Sequence, residues 1–235
     1  MHIYQMLGRR SPTIEHYLLK NLKKKIPDNQ RILDVGAGEQ PYRKYCSHLN
    51  YVSQDFGEYD GTGNGEGLQM GTWNQSNLDI ISDICSIPEP NASFDVIMCT
   101  EVFEHIPDPL SALNEFSRLL RSGGLLILTA PLMSRTHFAP YHFCSGFSRY
   151  FWEKHLPENG FEIQELETNG NYFEWVGYET YNHFNVSKRY TGKYPSPLDF
   201  LCMYGVLRFC RKMSKRDKGS AEYLCFGHHI LAVKR

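Results

Sequence analysis

In Asp34-Val-Gly36-Ala37-Gly38 an acid precedes two closely spaced glycines by two residues, and that spacing limits what the turn can bind. Gly36 and Gly38 tolerate backbone angles that other residues avoid, so the chain can turn tightly and let a ligand approach the backbone. A dinucleotide turn needs a further small residue three positions later, where Pro41 stands here. Asp34 repels a pyrophosphate and attracts a ligand that carries positive charge. A second kind of chemistry is suggested further on, where Glu101, Glu104 and His105 follow one apolar run and His137, Tyr141 and His142 follow the next. Histidine titrates near neutral pH and can take a proton from an acceptor. The proton-accepting candidates are ordered His142, Tyr141, His137, His105.

These residues need a sheet to bring them together. Ile32, Leu33 and Val35 form a buried strand before the glycine turn, and Pro41 suits the first turn of a helix running to about Cys46. Such a helix would aim its free N–H groups at the ligand. Tyr51–Asp55 reads as the next strand, Leu78–Ile84 as a short one, Ser93–Thr100 and Leu125–Pro131 as central ones. Asp108-Pro109 caps a helix carrying Leu110, Leu113, Phe116 and Leu120, which Gly123-Gly124 ends. Ser148–Pro157 reads as a helix, Phe161–Leu166 and Tyr223–Val233 as strands. The alternation predicts an α/β fold with a doubly wound, mostly parallel sheet. Residues 1–30 form a helical cover, with Ser11-Pro12 as its cap, Ile14, Leu18 and Leu22 on its apolar face and a solvated lysine-rich end. The glycine-rich loop 57–77 is long for a compact domain and reads as a lid or a surface loop.

The 235 residues suit a single domain, 1–235, with an elaboration over 171–220 before the last strand. A formal net charge of −1 speaks against bulk nucleic-acid binding. Seven scattered cysteines without a C-x-x-C pair read as reduced thiols, and the first residues lack the apolar run of a signal peptide. A cytoplasmic location is expected.

In order, the acidic glycine turn, Asp55 seventeen positions after Gly38, the Asp83-Ile84 pair, Glu104-His105-x-x-Asp108-Pro109 and Gly123-Gly124 resemble class I methyltransferases that use S-adenosylmethionine. The resemblance covers about 31–168. It implies a Rossmann-like seven-stranded sheet whose last strand inserts antiparallel. It further implies Asp34, Gly36, Ala37, Gly38, Asp55, Phe56, Asp83, Ile84, Thr100 and Glu101 around the cofactor. Asp55 would hold the ribose, Asp83 the adenine amine, and Ile84 would pack on the ring. A looser likeness, in His137–Ser148 and the elaboration, is to bacterial surface-glycan and O-antigen methyltransferases, which implies a sugar or other small hydroxyl acceptor.

Methyl transfer is an in-line displacement, so the protein mainly positions the reactants and takes a proton. No metal is expected. Glu101, Glu104 and His105 are the set that would hold one, as in some ubiquinone-pathway and small-RNA methyltransferases, with His137 or His142 completing it. The competing readings are a metal-assisted RNA 2′-O-methyltransferase and a catalytically silent cofactor-binding partner subunit; a nicotinamide oxidoreductase ranks last because of Asp34 and Pro41. Apolar residues followed by cations over 197–218 fit either a helix packed on the sheet or a peripheral contact with a membrane.

Overall fold

The computed structural model describes residues 10–235, with side chains from Ile14 onward, so the expected Ser11-Pro12 cap lies outside the described side chains. Seven strands form one sheet: β1 (Arg31–Val35), β2 (Asn50–Asp55), β3 (Ile80–Ile81), β4 (Phe94–Thr100), β5 (Leu120–Pro131), β6 (Phe161–Asn169) and β7 (Gly227–Lys234). The strand order is β3-β2-β1-β4-β5-β7-β6. The pairs from β3 to β5 are parallel, and β7 runs antiparallel to β5, with Leu126 opposite Ala232 and Leu128 opposite Ile230. This is the expected α/β sheet with the expected inserted last strand.

Alternation along the central strands explains why both faces are covered. Leu33, Val35, Ile97, Cys99, Leu126 and Leu128 join one buried cluster, while Ile32, Val96, Met98 and Ile127 join the other. Successive side chains point to opposite faces, so a continuous apolar run needs helices on both sides. Helix α1 (Arg10–Lys25) covers the second cluster with Ile14, Tyr17, Leu18 and Leu22. Two of its lysines are not merely solvated: Lys20 pairs with Glu165 at 3.2 Å and Glu167 at 3.1 Å, and Lys25 also reaches Glu165. On the other face lie α2 (Pro109–Leu119) and α3 (Arg149–Glu158), where Phe103 meets Phe116, Phe147 and Trp152 edge to face and Phe147 packs tilted on Trp152.

Several local expectations are corrected. No α-helix follows the glycine turn: Gln40 is left-handed (φ 57°) and only Arg43–Tyr45 makes a single 3-10 turn before β2. Few residues separate the turn from the next strand, and Pro41 cannot donate a backbone hydrogen bond there. The site therefore lacks the row of helix N–H groups. The strand expected over Leu78–Ile84 shrinks to Ile80–Ile81. Helix α2 ends at Leu119, and Gly123 (φ 78°) and Gly124 lie within β5, whose register against β4 shifts between Phe94 and Val96. The Asp108 cap is as expected, its carboxylate accepting from Ser111 N at 3.1 Å.

The described chain resolves into two compact units. One holds Ile14–Glu167 and Gly227–Arg235; the other holds Thr168–Phe226, with helices α4 (Tyr172–Thr191) and α5 (Pro197–Ser214). No helix among the described residues is long and apolar enough to cross a membrane. None of the seven cysteines is in a disulfide. Trp152 is wholly buried at the centre of the aromatic cluster, so Trp152→Ala should cost about 3–5 kcal/mol in urea unfolding; a loss under about 1 kcal/mol would mean the cluster collapses to fill the gap.

Candidate functional site

The carboxyl ends of β1, β2 and β4 meet around a cavity of about 720 Å³. The glycine turn forms its floor. Gly36 (φ 66°) and Gly38 (φ 52°) are close-packed as well as left-handed: a Cβ on Gly36 would lie 2.4 Å from Val102 Cγ2, and one on Gly38 2.5 Å from Trp73 Cζ2. Asp55, at the end of β2, accepts from Gly38 N at 2.9 Å and from Gly57 N at 3.1 Å. Each carboxylate oxygen has further acceptor capacity. Asp34, 2% exposed, accepts from Tyr51 Oη at 2.5 Å. Burial pushes its carboxyl up to about 7, the Tyr51 hydrogen bond pulling down and Asp55 pushing up. Burial thus works against the negative charge read from the sequence until a cation arrives.

All ten residues expected around the cofactor, from Asp34 to Glu101, border this cavity. Glu101 is left-handed (φ 57°) and its N–H reaches Thr129 O at 2.9 Å, which turns the chain sharply off β4. Two further groups reveal what a ligand must supply. Among the described residues Gln54 Oε1 and Gln75 Nε2 are buried without partners, and both side chains border the cavity. A ligand with both hydrogen-bond donors and acceptors would satisfy this acceptor and this donor, as a nucleoside would.

The roof comes from the glycine-rich loop. Leu68 N donates to Thr136 O and Phe138 N to Leu68 O, both at 3.0 Å, so loop 57–77 pairs with the segment after β5. Tyr59, Trp73 and Phe138 stack edge to face with centroids 4.5–5.8 Å apart. The loop is therefore docked over the glycine turn. Sequence reasoning does not single out Trp73 or Gln75; the one signal is a lone tryptophan in a glycine-rich loop.

The proton-accepting candidates divide. His105 and Tyr141 border the cavity; His137 and His142 do not. His142, ranked first from the sequence, is half-buried with its Nε2 3.1 Å from Ser134 Oγ. Tyr141 Oη donates to Glu58 at 3.3 Å, and desolvation with the Glu58 charge raises its pKa. A phenol shifted that way donates a hydrogen bond and does not take a proton.

His105, His137 and Glu104 form the decisive cluster. His105 Nδ1 lies 2.5 Å from Tyr141 O, and His137 Nδ1 2.8 Å from Arg135 O. A carbonyl only accepts, so each Nδ1 carries its hydrogen and each neutral ring keeps a lone pair on Nε2. Those two Nε2 atoms face each other at 3.1 Å, with the buried Glu104 Oε1 3.8 Å from His137 Nε2. Two such nitrogens beside a carboxylate can share a proton or a cation. Glu104, His105 and His137 are also the one group among the described residues whose ligand atoms lie close enough to hold a metal ion, so the structure gathers His137 there in place of the expected Glu101. Burial, and next the neighbouring His105, push His137 down to about 4, leaving that ring neutral near pH 7.

Residues 6–179 match the family described as Methyltransferase domain. The chain belongs to that family. It is similar to the ubiquinone biosynthesis O-methyltransferase of Xylella fastidiosa, 28% identical over 116 residues, spanning 47% of this chain and 46% of that one. It is 26% identical over 124 residues to the sarcosine/dimethylglycine N-methyltransferase of Halorhodospira halochloris, spanning 49% and 43%. The chain thus spans less than half the length of the curated relatives it matches. Its fold is similar to that of the Haemonchus contortus phosphoethanolamine N-methyltransferase 2 solved with S-adenosyl-L-methionine, at a TM-score of 0.51 and 17% identity, covering 94% of this chain and 52% of that one.

The state of Asp34 is measurable. An acid whose folded pKa lies above its unfolded value stabilises the protein fully only below the unfolded value, and that contribution is lost as pH rises through the folded one. The ligand-free protein should therefore lose stability between about pH 4 and 7, and Asp34→Asn should flatten that slope in urea unfolding. An unchanged slope would assign the titration to another group.

Proposed function

We propose that this S-adenosylmethionine-dependent methyltransferase methylates a hydroxyl of a small acceptor, sugars being the class to test first, with His105 as the proton acceptor. The pair of converging Nε2 lone pairs at the cavity wall carries the proposal. A hydroxyl holds its proton at neutral pH until attack begins, so it needs a base in the transition state; an amine need only be neutral beforehand. When bound, S-adenosylmethionine supplies a methyl group on a sulfonium, with the carbon–sulfur electron pair departing onto sulfur.

Around that cofactor, Asp34 meets positive charge, and Asp55 accepts from the ribose hydroxyls with the lone pairs left after bracing Gly38 and Gly57. Asp83 and Ile84 take the adenine, while Phe56, Thr100 and Glu101 complete the surroundings. At the acceptor, His105 Nε2 receives the hydroxyl proton as the oxygen bonds to carbon. The new N–H then donates to neutral His137 Nε2, and the buried Glu104 carboxylate balances the imidazolium charge. Tyr141 donates a hydrogen bond from the cavity mouth, and the exposed Phe143 with Phe56 offers apolar faces against which a sugar ring can pack.

Asp55→Ala should weaken S-adenosylhomocysteine binding by about 1–3 kcal/mol in calorimetric titration; unchanged affinity would remove Asp55 from the cofactor. His105→Ala should lower turnover of a hydroxyl acceptor by about 10²–10⁴-fold with S-adenosylhomocysteine affinity preserved, and chelation with EDTA should leave the wild-type rate unchanged. Full activity of the variant would sink the base assignment, and a rate abolished by EDTA would give the Glu104–His105–His137 cluster to a cation instead.

A further inference from the structure

Helices α4 and α5 form a compact pair on their own terms. Phe184 packs on Phe200 at 5.4 Å and Phe173 on Phe209 at 6.3 Å between ring centroids, and Ser214 Oγ donates to Glu174 at 2.9 Å. Ser196 and Asp199 cap α5 reciprocally, so its start is well defined. Only Cys210 of its eighteen residues is buried.

What α5 leaves outside is unusual. Leu198, Leu201 and Phe209 are 69%, 64% and 57% exposed, and Phe200, Tyr204 and Val206 are exposed beside them. At 100° per residue these six positions spread over more than half the helix circumference. The next stretch changes character: Arg208, Arg211, Lys212, Lys215, Arg216 and Lys218 stand against a single acid, Asp217, in a chain whose overall charge is −1. Helix α4 adds exposed Tyr190 with Arg189 over its ring, and Lys188 lies over the ring of exposed Tyr194.

We infer that α5, with its basic C-terminal end, is a docking surface for an anionic lipid membrane. A protein groove covers a stripe of a helix, whereas this apolar arc is too broad for a stripe and suits a soft, extended apolar phase. The cations follow the apolar turns along the axis, so the first turns can enter the interface while the basic end stays among the headgroups. The exposed Tyr190, Tyr194 and Tyr204 are residues suited to headgroup depth. The cluster of six cations against one acid selects negatively charged lipid over neutral lipid. The inference does not rest on the identity of the methyl acceptor or on the histidine cluster.

The test is co-sedimentation of the full chain with phosphatidylcholine vesicles, with and without phosphatidylglycerol, at low and high salt. The protein should pellet with the anionic vesicles, bind neutral ones at least about tenfold more weakly, and be released by salt. Arg211→Glu/Lys212→Glu/Lys215→Glu and, separately, Leu201→Ser/Phe209→Ser should each lower anionic-vesicle binding by about tenfold or more, while calorimetric affinity for S-adenosylhomocysteine stays unchanged and reports an intact fold. Absence of vesicle binding, equal binding to both vesicle types, or wild-type binding by both variants would overturn the inference. So would a dimer in sedimentation equilibrium that Leu201→Ser/Phe209→Ser dissociates, since a second copy would then cover the face.

Discussion

The Asp55 carboxylate accepts from Gly38 N–H on one side and Gly57 N–H on the other. The geometry of the cavity depends on these two bonds. A carboxylate taken this far out of water is tolerated because backbone donors meet it. In doing so it ties the turn after β1 to the turn after β2. Gly38 is left close enough to Trp73 that no side chain would fit between them. That contact in turn seats loop 57–77, whose pairing with 136–139 brings the segment after β5 over the site. Floor and roof are one connected construction, and a single acid stands at the joint.

How much of this could be read beforehand follows the range of the interactions. The strands were legible because burial on two faces demands continuous apolar runs, and β1, β4 and β5 supply them. The Asp108-Pro109 cap was legible because capping is settled within three residues. The helix after Gly38 was misread: Pro41 fits a helix start, but Gln40 takes a left-handed conformation and the chain must reach β2 almost at once. Tertiary demands overrode local preference there. The Asp34 and Asp55 positions in the cavity follow from their spacing to the glycine turn and the strand end, whereas Asp83 and Glu101 were implied by the family resemblance.

Of the four candidate proton acceptors, His105 and Tyr141 border the cavity, and sequence spacing does not tell them from His137 and His142. His142 ranked first because it sits in the segment after β5, yet whether a ring faces the cavity depends on the backbone turn it occupies, which sequence spacing does not fix. Ser134 engages His142, while Arg135 and Tyr141 supply the carbonyls that fix the tautomers of His137 and His105. Those carbonyls come from the backbone, so no side-chain pattern announces them. The same holds for Gln54 and Gln75, whose unmatched atoms become visible only once the cavity has closed around them.

The site also holds two carboxyl groups in opposite circumstances. Asp55 faces backbone N–H donors, whereas Asp34 is buried with the Tyr51 hydroxyl donating to it and feels Asp55 nearby. The environment that lifts Asp34 to about 7 makes it responsive to an incoming positive charge, because a cation beside it favours the ionised form that burial resists. A free charge there would be costly to keep in the absence of ligand, and a permanently neutral group would offer a cation nothing. Near neutral pH the binding of a cationic ligand would therefore expel a proton from Asp34. In the proposed reaction the site would be matched in charge: a carboxylate formed as positive charge enters, and an imidazole pair that would take on positive charge as the sulfonium loses it.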